Sequence, residues 1–149
     1  NHILHIHGGL YPYCDEPPIL GHGNVKKIEE YREKAERAAE EYDEGKESIY
    51  NAVANYYERT FKNTNECMSF RGFFFRQLTG VNNVEIIGHS FGEVDMPYFT
   101  YLKCCISKNA KWKFYYHSSE DYNAAEKAVK ELELDIGDYE ILPSDCFWQ

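Results

Sequence analysis

The stretch that most constrains the fold is residues 84–95, Val-Glu-Ile-Ile-Gly-His-Ser-Phe-Gly-Glu-Val-Asp. Its first four residues form a short, mostly apolar run, which is typical of a strand buried in a parallel sheet. Gly88 and Gly92 then bracket a sharp turn, and Asp95, followed by Pro97, suits the start of a helix. Such a strand, turn and helix start gather backbone N–H groups around one point. The sequence therefore predicts a functional site at this turn.

Strands and helices alternate from this stretch to the end of the chain. Strands are predicted at 84–87, 111–116 and 139–142, and helices at 95–107 and from Ser118 or Ser119 to Leu132. This order favours right-handed crossovers, so the predicted fold class is α/β, with a Rossmann-like parallel sheet flanked by helices.

A further strand is predicted at residues 1–7, ending at Gly8 and Gly9. His7 and Gly8, like Gly88 and Ser90, would then lie at the carboxyl end of a strand, where open parallel sheets bind their ligands.

Residues 24–79 show no strand pattern and are predicted to form a helical insert. Helices are expected at 25–45, 48–61 and 67–78, with Gly45 ending the first, and the first two are predicted to form a helical hairpin. The prediction for the chain is one α/β domain, residues 1–149, that contains this insert. Because the chain opens at Asn1 and runs directly into a predicted strand, we expect a fragment of a longer protein.

The charge and cysteine content limit the partners of this chain. Its 149 residues carry a net charge of −9, which disfavours nucleic acids and anionic membrane surfaces because both are negatively charged. No apolar run is long enough to span a bilayer. The five cysteines show no Cys-x-x-Cys spacing, which is typical of reduced thiols. We therefore expect a cytoplasmic protein without a nucleic-acid or membrane partner.

The pentapeptide from Gly88 to Gly92 matches the Gly-x-Ser-x-Gly pattern of the nucleophile elbow. A serine hydrolase using Ser90 is therefore one hypothesis, although a serine nucleophile also needs a histidine base and an acid. Only His117 follows Ser90 along the chain. The simpler interpretation is that the glycines permit a tight turn and that Ser90 caps a helix.

The same turn suits a nucleotide. Its backbone N–H groups and the Ser90 hydroxyl would hold a phosphate or ribose oxygen, and the Asp95 carboxylate would accept hydrogen bonds from ribose hydroxyls. Glu93 and Asp95 would repel a nearby phosphate, which favours ribose on that side. A third hypothesis is a non-enzymatic interaction module, in which the predicted helical hairpin and the aromatic third helix recognise another protein.

Two histidines, His5 and His7, would lie on one face of the predicted first strand and form the start of a metal site. Completing it would need His22, His89 or a carboxylate. Sequence spacing alone supplies only two ligands, so no metal is expected. His7, at the predicted strand end, is the histidine that we expect to have a site role.

Several short motifs together resemble the bacteriophage abortive infection AbiH family. They are His-Ile-His-Gly at 5–8, Pro-Ile-Leu-Gly-His-Gly at 18–23, Ile-Ile-Gly-His-Ser-Phe-Gly-Glu-Val-Asp at 86–95, and Tyr-Tyr at 115–116. The family is similar to sirtuin-like NAD-binding proteins.

The resemblance implies defence against phage, in which the infected bacterium stops growing or dies, and a nucleotide ligand, with NAD the first choice. It would place nucleotide-binding residues at the two glycine-marked turns: His7, Gly8, Gly88, His89, Ser90 and Asp95. The chain lacks the glycine-rich first strand and turn expected of the family, so it would hold the second half of the nucleotide site. No catalytic residue is assigned.

Overall fold

The computed structural model describes residues 3–8, 18–19 and 21–148. The chain divides into two compact units, Asn1–Cys67 (unit 1) and Met68–Gln149 (unit 2). In the described residues the elements are, in order, α1 (Val25–Glu40), α2 (Glu44–Arg59), α3 (Thr64–Phe70), α4 (Gly72–Arg76), a 3-10 turn (Gln77–Gly80), β1 (Asn83–Ile87), α5 (Met96–Cys105), β2 (Lys111–Tyr116), α6 (Ser119–Glu131), β3 (Tyr139–Pro143) and a second 3-10 turn (Ser144–Trp148).

Unit 2 contains a three-stranded parallel sheet in the order β1-β2-β3. Ile86 of β1 pairs in register with Phe114 of β2, which pairs in turn with Ile141 of β3. This sheet and its flanking helices confirm the predicted α/β class. Strands alternate their side chains between two faces, so these three residues share one face of the sheet.

That face carries the core of unit 2. Phe114 is completely buried, and Trp112, two residues earlier on β2, stacks on it at 6.1 Å between ring centroids. Met96 of α5 and Val129 of α6 belong to the same buried cluster. Burying one face of the strands under both helices holds the carboxyl end of β1 in a rigid frame, and the turn at 88–95 starts there.

Unit 1 contains the predicted helical hairpin, formed by α1 and α2. Its tightly packed positions are alanines, Ala35 and Ala38 on α1 and Ala54 on α2, which let the two helix backbones approach closely. Arg32 of α1 reaches across and donates two hydrogen bonds of 2.8 and 2.9 Å from one guanidinium nitrogen to both carboxylate oxygens of Glu58. The hairpin is thus held together by closely packed alanines and by the hydrogen bonds between Arg32 and Glu58.

The predicted end of the first helix is wrong by about one turn. The helix ends at Glu40, and Tyr42 takes a left-handed φ of 59° between the two helices. Gly45 lies in the first turn of α2 instead, because the Asp43 side chain accepts a hydrogen bond from the Lys46 N–H and starts that helix. An N-cap of this kind stabilises a helix start, and here it outweighs the tendency of glycine to end a helix.

The predicted third helix, 67–78, is replaced by α3, α4 and a 3-10 turn. Its aromatic residues do not share one buried face: Phe75 is buried, whereas Phe70 and Phe73 are 74% and 69% exposed. A helix in a folded protein depends mainly on packing one apolar face. Without that face the segment breaks into short pieces.

The strand predicted at 1–7 is also wrong, as far as residues 3–8 show. The Gly8 N–H donates to the His5 carbonyl at 3.1 Å and closes a turn, with Gly8 at a left-handed φ of 72°. The His7 carbonyl accepts from the Ile19 N–H at 2.7 Å, and neither residue belongs to a strand within the described ranges 3–8 and 18–19. The alternating pattern of these residues suits a strand, but the local turn closed by Gly8 takes its place in the described residues.

Candidate functional site

The turn at residues 88–95 joins the end of β1 to the start of α5. Gly88 adopts a left-handed φ of 65° directly after the strand, and the chain therefore leaves the sheet sharply. The Asp95 N–H donates to the Gly92 carbonyl at 2.9 Å, and the Tyr98 N–H donates to the Asp95 carbonyl at 3.0 Å. These bonds close the turn and lead directly into the helix.

Phe91 attaches this turn to the core of unit 2. Its ring lies 5.6 Å from the ring of buried Phe114 and 5.5 Å from that of Phe99 on α5. Phe91 has a left-handed φ of 52°, which is costly for a residue with a side chain. Ring packing against two neighbours offsets this cost and fixes the course of the turn.

His89 folds back over the turn and is held in one orientation. The Phe91 N–H donates to its Nδ1 at 2.8 Å, and the Phe99 ring packs edge-to-face against it at 4.8 Å. Because Nδ1 accepts that hydrogen bond, the proton of a neutral His89 ring lies on Nε2. Nε2 is 3.7 Å from Oδ2 of Asp95. The turn therefore places an imidazole N–H next to a carboxylate.

Asp95 occupies the predicted position immediately before α5, and Pro97 follows in the first turn as expected. The expected capping hydrogen bond is not made: Asp95 has a helical φ of −100° and ψ of −14°, and its side chain does not cap the helix. The carboxylate lies beside His89 instead, and its side chain is 22% exposed. The Asp95 carboxylate is thus partly accessible to solvent and lies beside the His89 imidazole.

The two glycines of the turn face open space. A Cβ atom added to Gly88 or to Gly92 would meet no heavy atom within 4 Å apart from those of the glycine and its two chain neighbours. Ser90, between them, is exposed. A small polar molecule can therefore approach the backbone of this turn closely, with the Ser90 hydroxyl beside it.

The geometry differs from that of a nucleophile elbow. In an elbow the nucleophilic serine occupies the sharp, strained position of the turn. Here the left-handed positions are Gly88 and Phe91, not Ser90. His89 Nδ1 already accepts the Phe91 N–H, and His117 follows β2 as an exposed residue. These observations give no support to the hydrolase hypothesis.

Glu93 is 92% exposed and lies 3.5 Å from the Lys127 ammonium of α6. A pair this exposed contributes little to stability. The pair matters for the local charge, because Lys127 of α6 places a positive charge beside Glu93 in a turn that also carries Asp95.

His22, a possible metal ligand in the sequence, has a structural role in unit 1. Its Nδ1 accepts from the Asn24 N–H at 3.0 Å, and its Nε2 lies 3.1 Å from the Thr60 hydroxyl oxygen. Both ring nitrogens are thus engaged in tying the start of α1 to the end of α2. No three histidine, cysteine, aspartate or glutamate side chains of the described residues are grouped to hold a metal ion.

The predicted site residues fall in both units. His7 and Gly8 lie in unit 1, and Gly88, His89, Ser90 and Asp95 in unit 2, where the turn brings those four together.

Sequence analysis missed the part played by Phe91 and Phe99, which hold the His89 ring. Their spacing after the strand was the available signal, since Phe91 lies within the turn itself and Phe99 lies one helical turn beyond Asp95.

A comparison with protein families matches residues 1–116 to the family described as bacteriophage abortive infection AbiH. No curated protein and no solved structure matches the chain. In the described residues, no helix has both the length and the apolar composition needed to cross a membrane. The family match covers more than half of the 149 residues and includes β1, the turn at 88–95, α5 and β2. The chain therefore belongs to the AbiH family of bacteriophage abortive infection proteins.

Proposed function

We propose that this chain acts in abortive infection by binding a nucleotide, with NAD the first choice, at the turn formed by residues 88–95. The observation that carries the proposal is the open space over Gly88 and Gly92, beside exposed Ser90 and the Asp95 carboxylate. This space follows the carboxyl end of a parallel strand, the position at which open α/β sheets bind nucleotides.

The charges favour the ribose of the nucleotide on this side of the turn. Glu93 and Asp95 would repel a phosphate, whereas a carboxylate is a strong acceptor for the two hydroxyls of a ribose. Asp95 is the residue that we assign to this contact, because His89 holds it beside the turn with an imidazole nitrogen 3.7 Å away. The Ser90 hydroxyl and the N–H groups of the turn would bind a second sugar oxygen.

The first experiment is a calorimetric titration of the purified chain with NAD and, separately, with adenosine. Asp95→Asn removes the charge but keeps the shape, and we expect affinity to fall by about tenfold or more, as for the loss of a charged hydrogen bond. Ser90→Ala should cost less, about threefold to tenfold.

Ser119→Ala is the matched control for the serine variant, because Ser119 is also exposed in unit 2 but lies at the start of α6. Unchanged affinity in both Ser90→Ala and Asp95→Asn would remove the turn from nucleotide binding. Adenosine binding as tightly as NAD would indicate that the turn recognises the nucleoside alone.

A second assay separates sensing from consumption of the nucleotide. NAD loss is followed with the purified protein, wild type against the same variants. Binding without loss identifies a sensor, and loss that depends on Asp95 identifies an enzyme. His7→Ala, tested in parallel, decides whether unit 1 contributes: unchanged affinity would confine the site to unit 2.

We further infer that the protein acts in the cytoplasm and responds to a phage or host protein during infection. Fractionation of cells and cross-linking during phage challenge test both statements. Recovery of the protein with the membrane fraction, or cross-linking unaffected by infection, would contradict them.

A further inference from the structure

The two helices of the hairpin differ sharply on the faces that they turn away from each other. The outer face of α1 is charged throughout, with exposed Lys26, Glu29, Glu33, Glu36, Arg37 and Glu40. Such a face is typical of a helix surrounded by water. The outer face of α2 should look the same if it too met only water.

It does not. Exposed Arg59 is the one charged residue on the side of α2 opposite α1, and it lies at the carboxyl end of the helix. The other residues of that side are Gly45, Ser48, Ile49, Ala52 and Tyr56, all exposed and all uncharged. We call them the α2 outer stripe; their spacing of three, four, seven and eleven residues puts them on one helical face. Ile49 and Tyr56 are 62% and 61% exposed. Two large apolar side chains standing over small neighbours form a ridge and a groove suited to another helix.

We propose that the α2 outer stripe is the surface through which two copies of this chain associate, with their α2 helices antiparallel. Ala52 lies almost midway between Ile49 and Tyr56 along the helix. A two-fold axis near Ala52 therefore brings Ile49 opposite Tyr56 of the partner subunit, and the reverse, as a self-complementary interface requires.

The charges at the two ends of α2 fit the same arrangement. Its first turn is acidic, with exposed Glu44, and its last turn is basic, with exposed Arg59. The helical spacing puts Glu44 and Arg59 on the same side of the stripe. In an antiparallel pair each Arg59 lies near Glu44 of the partner subunit, so the arrangement forms two ion pairs. A parallel pair would instead set like charges together.

The size of the stripe limits the strength of the association. A helix of 16 residues is about 24 Å long, so the contact is smaller than the standard interface of about 800 Å² per partner. We expect a reversible dimer with a dissociation constant on the order of micromolar. The proposal is independent of nucleotide binding, since it rests on unit 1 alone.

The test is sedimentation velocity of the purified chain from micromolar to several hundred micromolar concentration. Wild type should shift from monomer to dimer over this range. Ala52→Glu puts a negative charge at the centre of the proposed contact, and we expect the dissociation constant to rise about tenfold or more. Ala39→Glu, an exposed alanine on α1, is the matched control and should leave the dimer unchanged.

The antiparallel arrangement has its own test. Glu44→Arg alone and Arg59→Glu alone should each weaken association, and the double variant should restore it. Circular dichroism verifies that each variant keeps its helix content. A wild-type chain that stays monomeric at every concentration, an Ala52→Glu variant that associates like Ala39→Glu, or a double variant no better than the single ones would overturn the proposal.

Discussion

At the scale of single residues, the turn after β1 depends on the backbone of Gly88 and on the side chain of Phe91. Both adopt left-handed φ values, 65° and 52°, but the conformational cost differs between the two residues. Glycine has no Cβ and adopts this region freely, whereas Phe91 offsets the strain by packing on Phe99 and Phe114. The turn therefore needs glycine at position 88 for its backbone conformation and the ring of Phe91 for its packing on the core.

The two glycines of the turn give a matched pair of variants. Gly88→Ala should lower the free energy of unfolding by about 1–2 kcal/mol, because alanine is strained at this φ. Gly92→Ala should change it by less than about 0.5 kcal/mol, since Gly92 lies outside the left-handed region and its added Cβ meets open space. Urea denaturation measures both. Equal losses in the two variants would mean that backbone strain is not what selects glycine at position 88.

At the scale of elements, α6 has the most complete set of N-terminal capping hydrogen bonds among the described helices. The Ser118 side chain accepts from the Asp121 N–H at 3.1 Å, and the Asp121 carboxylate accepts from the Ser118 N–H at 3.1 Å. This is a capping box, which satisfies two backbone donors at once. The hydrogen bond from the Ser118 side chain is the main cause that lowers the pKa of Asp121 from its ordinary 3.8.

Ser118→Ala should therefore destabilise unit 2 by about 1 kcal/mol at neutral pH, the usual cost of losing a serine N-cap. Ser119→Ala, one residue further on, is the control and should cost less than about half of that. Because the pKa of Asp121 is lowered in the folded state, its contribution is present above about pH 3.8 and is lost as the pH falls below it. Thermal unfolding at neutral and acidic pH should show the Ser118→Ala difference shrinking with acid; a constant difference would separate Ser118 from the ionisation of Asp121.

At the scale of the whole molecule, the reactivity of the cysteine thiols measures how well each unit is packed. In the described residues four cysteines are free thiols: Cys67 is buried, Cys105 is half-buried, and Cys104 and Cys146 are exposed. Cys67 ends unit 1, whereas the other three belong to unit 2. Labelling of the four thiols therefore measures burial in both units within a single experiment.

Iodoacetamide followed by mass spectrometry should label Cys104 and Cys146 first. Cys67 needs a local opening, and an opening cost of about 3 kcal/mol would make it at least about a hundredfold slower. Denaturant should abolish the difference, which serves as the control. Labelling of Cys67 at the rate of Cys104 in native protein would show that the end of unit 1 is not packed as described.

The local signals in the sequence were sufficient for the second half of the chain. Lys111–Tyr116 is a strand with the predicted bounds, and Ser118, one of the two serines expected to cap α6, is its N-cap. Apolar runs bounded by turn residues and caps act over a few positions, so they can be recognised without knowing the partner. The nucleotide-binding role of residues 88–95 remains a prediction.

Contacts between residues distant along the chain could be learned only from the folded structure. The histidines near the amino terminus have the alternation of a strand, but the Gly8 N–H bonds back to the His5 carbonyl and closes a turn there. Asp95 stands at the start of α5, yet its carboxylate lies beside His89 rather than on the helix end. The sequence determined where backbone turns and caps occur, since these depend on neighbouring residues. The fold determined which side chains meet, because that depends on packing across the chain.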